Sequence, residues 1–182
     1  MRTNVIIVDD FYGNPDAVRA FALHQPFDIT GNYPGARTKS WLTEDVKEAI
    51  QLLIRPHGGD VTDWCAQDGF TGSFQYTTAA DRSWIHSDYY NGWAGVCYLT
   101  PNAPHTAGTG LFRHKATGHT ERITTDYEAQ DMTKWDIVDV VSNRYNRLVL
   151  YRGTLFHSSL DYFGTTKEDG RLFQLFFFNT TF

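Results

Sequence analysis

The sequence predicts an α+β fold: an antiparallel jelly roll with helices at its N-terminal side packed on it. Three observations lead there. Helical periodicity is confined to two early segments, residues 14–24 and 43–54. From Phe70 onward the texture changes to short β-rich runs separated by turn residues. Strands and helices do not alternate, which argues for antiparallel pairing rather than βαβ units, and closure as a double sheet is the natural way to bury such strands.

The elements follow in order. Residues 5–8 (Val-Ile-Ile-Val) read as a short buried strand closed by Asp9 and Asp10. Asn14 and Pro15 then open a helix, Asn14 accepting from free backbone amides and Pro15 needing no donor. That helix runs to about His24, and a linker containing Pro26, Gly31, Pro34 and Gly35 follows. Thr43 caps a second helix whose Val46, Ala49, Ile50, Leu53 and Ile54 share one face, ended by Pro56 and Gly58-Gly59. The β-rich runs are 74–77, 95–100, 110–114, 147–151 and 172–178. Between two of them, residues 118–135 form a long excursion rich in Thr, Asp and Glu, placed to act as a lid or to be inert. The expectation is one domain over 1–182, with helical support at 1–69 and the jelly-roll core at 70–182; no internal repeat is visible.

With 182 residues, 41% hydrophobic and 15% aromatic, the chain carries enough apolar surface for one core. A net charge of -5 gives no electrostatic reason to expect nucleic acid or an anionic membrane as partner. Two cysteines, Cys65 and Cys97, with no CxxC pair, argue against a disulfide scaffold or a thiolate zinc cluster. The short first apolar run and the lack of any membrane-length stretch lead to the expectation of a soluble, cytoplasmic protein. Nothing in the sequence indicates its oligomeric state.

The sharpest local feature is His86-Ser87-Asp88, because residues two apart on a strand face one way and can share an ion. Alone it is weak, since roughly one His-x-Asp per two chains of this make-up arises by chance. A third candidate ligand, His157, stands where the apolar run from Arg147 meets a polar His-Ser-Ser terminus. Two imidazoles and one carboxylate on one face of iron leave adjacent coordination positions open, as oxygen activation requires, whereas zinc favours a closed tetrahedron. Arg171 opens the apolar run 172–178, and a permanent charge there is costly without an anion. Trp84, Tyr89, Tyr90 and Trp93 surround the motif and suit either a planar or apolar substrate or the core. His105, His114 and His119 read as loop or structural residues.

From about Phe70 to the C-terminus the chain resembles the 2-oxoglutarate and iron(II)-dependent oxygenase superfamily, nearest its prolyl 4-hydroxylase-like branch. The resemblance rests on Ser73 to Tyr76, His86-Ser-Asp88, residues 96–100, the turn 107–112, Leu148 to Tyr151 with His157, and Gly170-Arg171, in the family's order. Residues 8–11, 14–19, 33–35 and 112–114 also resemble a group of small uncharacterised members. The resemblance implies a double-stranded β-helix core. It implies iron(II) at His86, Asp88 and His157, 2-oxoglutarate as co-substrate, and ascorbate as an accessory reductant. It also implies hydroxylation of a small-molecule or amino-acid-type substrate with release of succinate and CO2. Asp88 favours hydroxylation, since halogenating relatives have a small residue at that position. By position the distal carboxylate of the co-substrate falls to Arg171, where the branch usually has Lys. The loop from His157 to Arg171 is a few residues longer than in prolyl hydroxylases, and Lys167 within it is the alternative anchor. Tyr76 matches a tyrosine that often bonds the co-substrate. Two other readings stay open: a non-catalytic cupin-like or jelly-roll module that binds a metal or ligand, and a metal-dependent dioxygenase that needs no 2-oxoglutarate.

Overall fold

A computed structural model describes residues 2–66, 70–123 and 127–182. Among the described residues the architecture is mostly antiparallel β, with two α-helices and a short 3-10 helix at Met132–Lys134. Strands β1 (Val5–Val8), β2 (Ile29–Gly31), β3 (Tyr33–Ser40), β4 (Val61–Asp63), β5 (Ser73–Thr77) and β6 (Trp93–Tyr98) are followed by β7 (Thr109–His114) and β8 (Trp135–Val141). β9 (Leu148–Arg152), β10 (His157–Ser159) and β11 (Arg171–Thr180) complete the set, with helices α1 (Pro15–Leu23) and α2 (Glu44–Gly58) inserted early. An eight-stranded sheet has the order β1-β9-β6-β11-β5-β3-β2, with β4 also pairing to β11, and a three-stranded sheet has the order β10-β7-β8. Two antiparallel sheets of this kind are compatible with a jelly roll.

The helix caps are those the sequence indicates: the Asn14 side chain accepts from the Ala17 amide at 3.1 Å, and Thr43 Oγ1 from the Val46 amide at 3.4 Å. Pro56 does not end α2 but lies in its last turn, and Gly59 supplies the stop with φ 79°. The helical-support expectation for residues 1–69 needs correction. β1 to β4 all join the large sheet, so this region adds strands as well as helices. Pro34 and Gly35 hid β3 by reading as a linker. Gly35 has φ +73°, and a Cβ there would sit 1.9 Å from the Tyr76 carbonyl oxygen, so only glycine lets β3 approach β5 at that point.

The period-two alternation of side chains gives the large sheet two different faces. On one, Leu172, Phe176 and Phe178 of β11 join Phe74, Trp93, Cys97, Leu148 and Leu150 beneath Ala22, Ile50 and Ile54 of the helices. On the other, Phe173 and Leu175 lie with Val96, Tyr98, Val149 and Tyr151 and meet Val141 of the small sheet. A third cluster, Ile85, Phe112, Trp135 and Phe156, packs beside the small sheet and is covered in part by Tyr127. Tyr127 belongs to the 118–135 excursion, so part of that segment is core; residues 124–126 of it lie outside the described residues. Among the described residues no helix is long and apolar enough to cross a membrane.

Candidate metal centre and its cavity

The three predicted ligands meet through a backbone clamp. His86 donates its amide to the His157 carbonyl at 3.0 Å and accepts the His157 amide at 2.7 Å, so the two residues form a hydrogen-bonded antiparallel pair. The expected strand at 86–88 reduces to this single bridge, because Tyr89 to Gly92 turn away. Asp88 is held instead by its amide on the Gly153 carbonyl at 2.7 Å. Each imidazole is fixed in the same way, with Nδ1 at a carbonyl two residues back: Trp84 O at 3.0 Å for His86 and Leu155 O at 2.8 Å for His157. A carbonyl only accepts, so both Nδ1 atoms carry the proton and both Nε2 lone pairs are left for an ion.

The rings of His86 and His157 lie 4.4 Å apart between centroids, and His157 Nε2 is 3.8 Å from Asp88 Oδ1. One donor atom from each of the three residues lies within 4.8 Å of the others. Asp88 Oδ2 accepts from Asn91 Nδ2 at 2.8 Å, which turns Oδ1 toward the histidines. Burial first, and then the neighbouring His86, push the His157 imidazole down to about 4, against the opposing pull of Asp88. His157 is therefore neutral near pH 7, with a lone pair free for an ion rather than a charge for an ion pair. These donors fit a divalent metal with open positions: two neutral imidazoles with tethered Nδ1 atoms and one oriented carboxylate.

The triad lines a cavity of about 570 Å³ whose wall includes Arg171, Phe173, Leu175 and Phe177 from β11, and Gln75 and Thr77 from β5. Arg171 is 2% exposed. Its Nε donates to the Ala107 carbonyl at 3.0 Å and Nη2 to Gly108 at 3.5 Å, while the guanidinium stands 4.4 Å from the Phe173 ring centroid. Among the described residues no carboxylate lies within 4.0 Å of it. A buried permanent cation thus lines the cavity without a counter-ion among the described residues.

Two expected contributors lie elsewhere. Lys167 donates to the Leu23 carbonyl at 2.6 Å, over Phe27, and does not line the cavity; the end of α1 supplies the acceptor that its loop position did not reveal. Tyr76 packs edge-on against Phe27 at 5.1 Å in the helix-side core, because alternation along β5 gives the cavity to Gln75 and Thr77. Of the aromatic cluster, Tyr89 and Tyr90 line the cavity mouth at 76% and 77% exposure, whereas Trp93 is buried under the helices. His114 bonds Thr117 and Glu128 away from the cavity. No described residue of the 118–135 segment lines the cavity.

Sequence reasoning missed Asn91, Gln75 and Arg37. Asn91, three residues past Asp88, had a signal in its spacing. Arg37 and Gln75 had none, since their approach depends on β3 pairing with β5.

The fold is that of the 2-oxoglutarate and iron(II)-dependent oxygenases. HygX from Streptomyces hygroscopicus, solved with nickel, 2-oxoglutarate and hygromycin B, superposes with a TM-score of 0.59 at 13% identity, over 99% of this chain and 84% of HygX. A prolyl hydroxylase from Trichoplax adhaerens, solved with a hypoxia inducible factor peptide fragment, gives 0.51 at 13% identity, over 97% and 84%. The iron(II) and α-ketoglutarate-dependent dioxygenase TqaL gives 0.50 at 13% identity, over 98% and 83%. Within that fold, residues 1–134 match a family of unknown function, DUF6445, and the chain belongs to it. No curated protein matches the chain.

Proposed function

We propose that this protein is an iron(II)- and 2-oxoglutarate-dependent dioxygenase, a single domain with a double-stranded β-helix core, that hydroxylates a small-molecule substrate. The observation that carries the reading is the cavity, in which a two-histidine, one-carboxylate donor set shares one chamber with the buried Arg171, which has no counter-ion among the described residues. His86, Asp88 and His157 would hold the metal. Bound iron would supply dioxygen activation, with 2-oxoglutarate oxidised to succinate and CO2 as one oxygen atom enters a substrate C–H bond.

The residues of the chain do the rest. Arg171 gives the distal carboxylate of 2-oxoglutarate a fixed, desolvated cation. Trp84 O and Leu155 O set the imidazole tautomers, and Asn91 aims the Asp88 carboxylate. Phe173, Leu175, Phe177 and Tyr151 wall the chamber with apolar surface that excludes water. A reducing, cytoplasmic setting suits a chain in which Cys65 and Cys97 are not joined in a disulfide. No observation supports ascorbate as an accessory reductant.

The test is succinate formation by purified protein given iron(II), oxygen and 2-oxoglutarate. Formation that needs all three and is lost in His86→Ala and His157→Ala is expected. Unaltered turnover in those variants would overturn the assignment, and a metal-binding protein with no succinate formation would be a jelly-roll binding module instead.

A further inference from the structure

The cavity contains a second buried cation. Arg37 of β3 is the Cα partner of Gln75 on β5, and Gln75 is the partner of Phe173 on β11, so the three form one row across the sheet and all line the cavity. Arg37 is 8% exposed. Its Nε donates to Gln75 Oε1 at 2.7 Å, and Gln75 is itself locked by its amide on the Pro34 carbonyl at 2.6 Å. The guanidinium lies 3.6 Å from the Tyr33 ring centroid and 4.6 Å from that of Phe70. Those rings cover flat surface but accept no in-plane hydrogen bond. Nη1 and Nη2 have no partner among the described residues, and no carboxylate there lies within 4.0 Å of them.

Charge balance says what is missing. With a divalent metal on Asp88 and a dianionic co-substrate spanning the metal and Arg171, the chamber is neutral before Arg37 is counted. Among the described residues Arg37 is then left buried, charged and without a carboxylate of its own, a costly arrangement unless an anion comes with the remaining ligand. Its free Nη1–Nη2 edge is a planar fork, and the in-plane partner that such a fork fits is a carboxylate.

We propose that Arg37 selects the substrate, holding a carboxylate of a small organic acid on its free guanidinium edge while Arg171 holds 2-oxoglutarate. The exposed Tyr89 and Tyr90 at the mouth then face the body of that acid. This rests on the oxygenase reading above and adds the substrate class to it.

The test starts from protein loaded anaerobically with iron(II) and saturated with 2-oxoglutarate, whose visible charge-transfer band reports the chelate. Common L-amino acids and simple aliphatic and aromatic monocarboxylates, each matched to its primary amide, are titrated in and followed by the band and by calorimetry. At least one acid is expected to bind and to shift the band, with its amide far weaker. Arg37→Met should weaken that acid by roughly tenfold to a hundredfold, the loss of a charge-assisted bidentate contact, while the affinity for 2-oxoglutarate stays. The 2-oxoglutarate band of the variant shows that it is folded, and Arg37→Lys should restore part of the binding. The proposal is overturned if no acid binds, if acids and amides bind alike, or if Arg37→Met loses 2-oxoglutarate itself. A wild-type protein that forms no chelate strikes the oxygenase reading, whereas a normal chelate with binding indifferent to Arg37 strikes this proposal alone.

Discussion

The two faces of β11 put different chemistry on one strand. Toward the helices, Leu172, Phe176 and Phe178 are sealed in an apolar core, and the polar Gln174 between them is paired on both ends: Tyr12 donates its hydroxyl to Oε1, and Nε2 donates to the Gly72 carbonyl at 2.9 Å. Toward the cavity, Arg171 is equally buried but has only carbonyl partners and no counter-ion among the described residues. The same contrast continues onto β5 and β3, where Tyr76 packs in the core while Gln75 and Arg37 line the chamber. Buried polarity that is satisfied holds a fold together; buried charge left incomplete marks where a ligand belongs.

Substitutions on the two faces should separate along that line. The largest effect is expected at the proposed metal ligands: His86→Ala or His157→Ala should cost more metal affinity than the roughly hundredfold that bounds the loss of an outer partner. Calorimetric titration with iron(II) or nickel(II) checks this, and near-normal affinity in either variant would break the site. On the opposite face Phe176→Ala should destabilise the protein by about 3–5 kcal/mol in chemical denaturation while the folded fraction still binds metal with wild-type affinity. Arg171→Met should weaken 2-oxoglutarate roughly tenfold to a hundredfold, yet leave the thermal stability of the ligand-free protein unchanged or higher, because an uncompensated buried charge is gone. A fall in stability as large as that of Phe176→Ala would mean that Arg171 is structural. Asn91→Ala should reduce metal affinity by about tenfold with little change in melting temperature, as expected of a group that only aims Asp88.

A separate effect concerns pH. The His157 imidazole titrates at about 4 in the folded protein against 6.5 in the unfolded chain. The unfolded state therefore takes up the proton first. Metal-free protein should hold this contribution above pH 6.5 and lose it as the pH falls toward about 4. Melting curves across that window check it, with a flat profile contradicting a buried neutral His157.

Much of the candidate site was legible in the sequence because the residues that meet there sit where local pattern breaks. His86-x-Asp88 and His157 are polar groups within or just beyond apolar runs, and Arg171 is a lone charge at the start of one. What was hidden depended on pairing between distant segments. β3 read as a linker through Pro34 and Gly35, so the row from Arg37 to Phe173 could not be drawn. Tyr76 was misplaced for a related reason, since an alternating strand shows which residues share a face but not which face meets the cavity. Lys167 depended on a carbonyl at the end of α1 that no local motif announces.

The most direct measurement is the anaerobic addition of 2-oxoglutarate to the iron(II)-loaded protein, followed in the visible range. A weak charge-transfer band should appear in the wild type and require far more 2-oxoglutarate in Arg171→Met, with iron still bound in both. Iron bound at the triad with no band at any 2-oxoglutarate concentration would contradict the assignment.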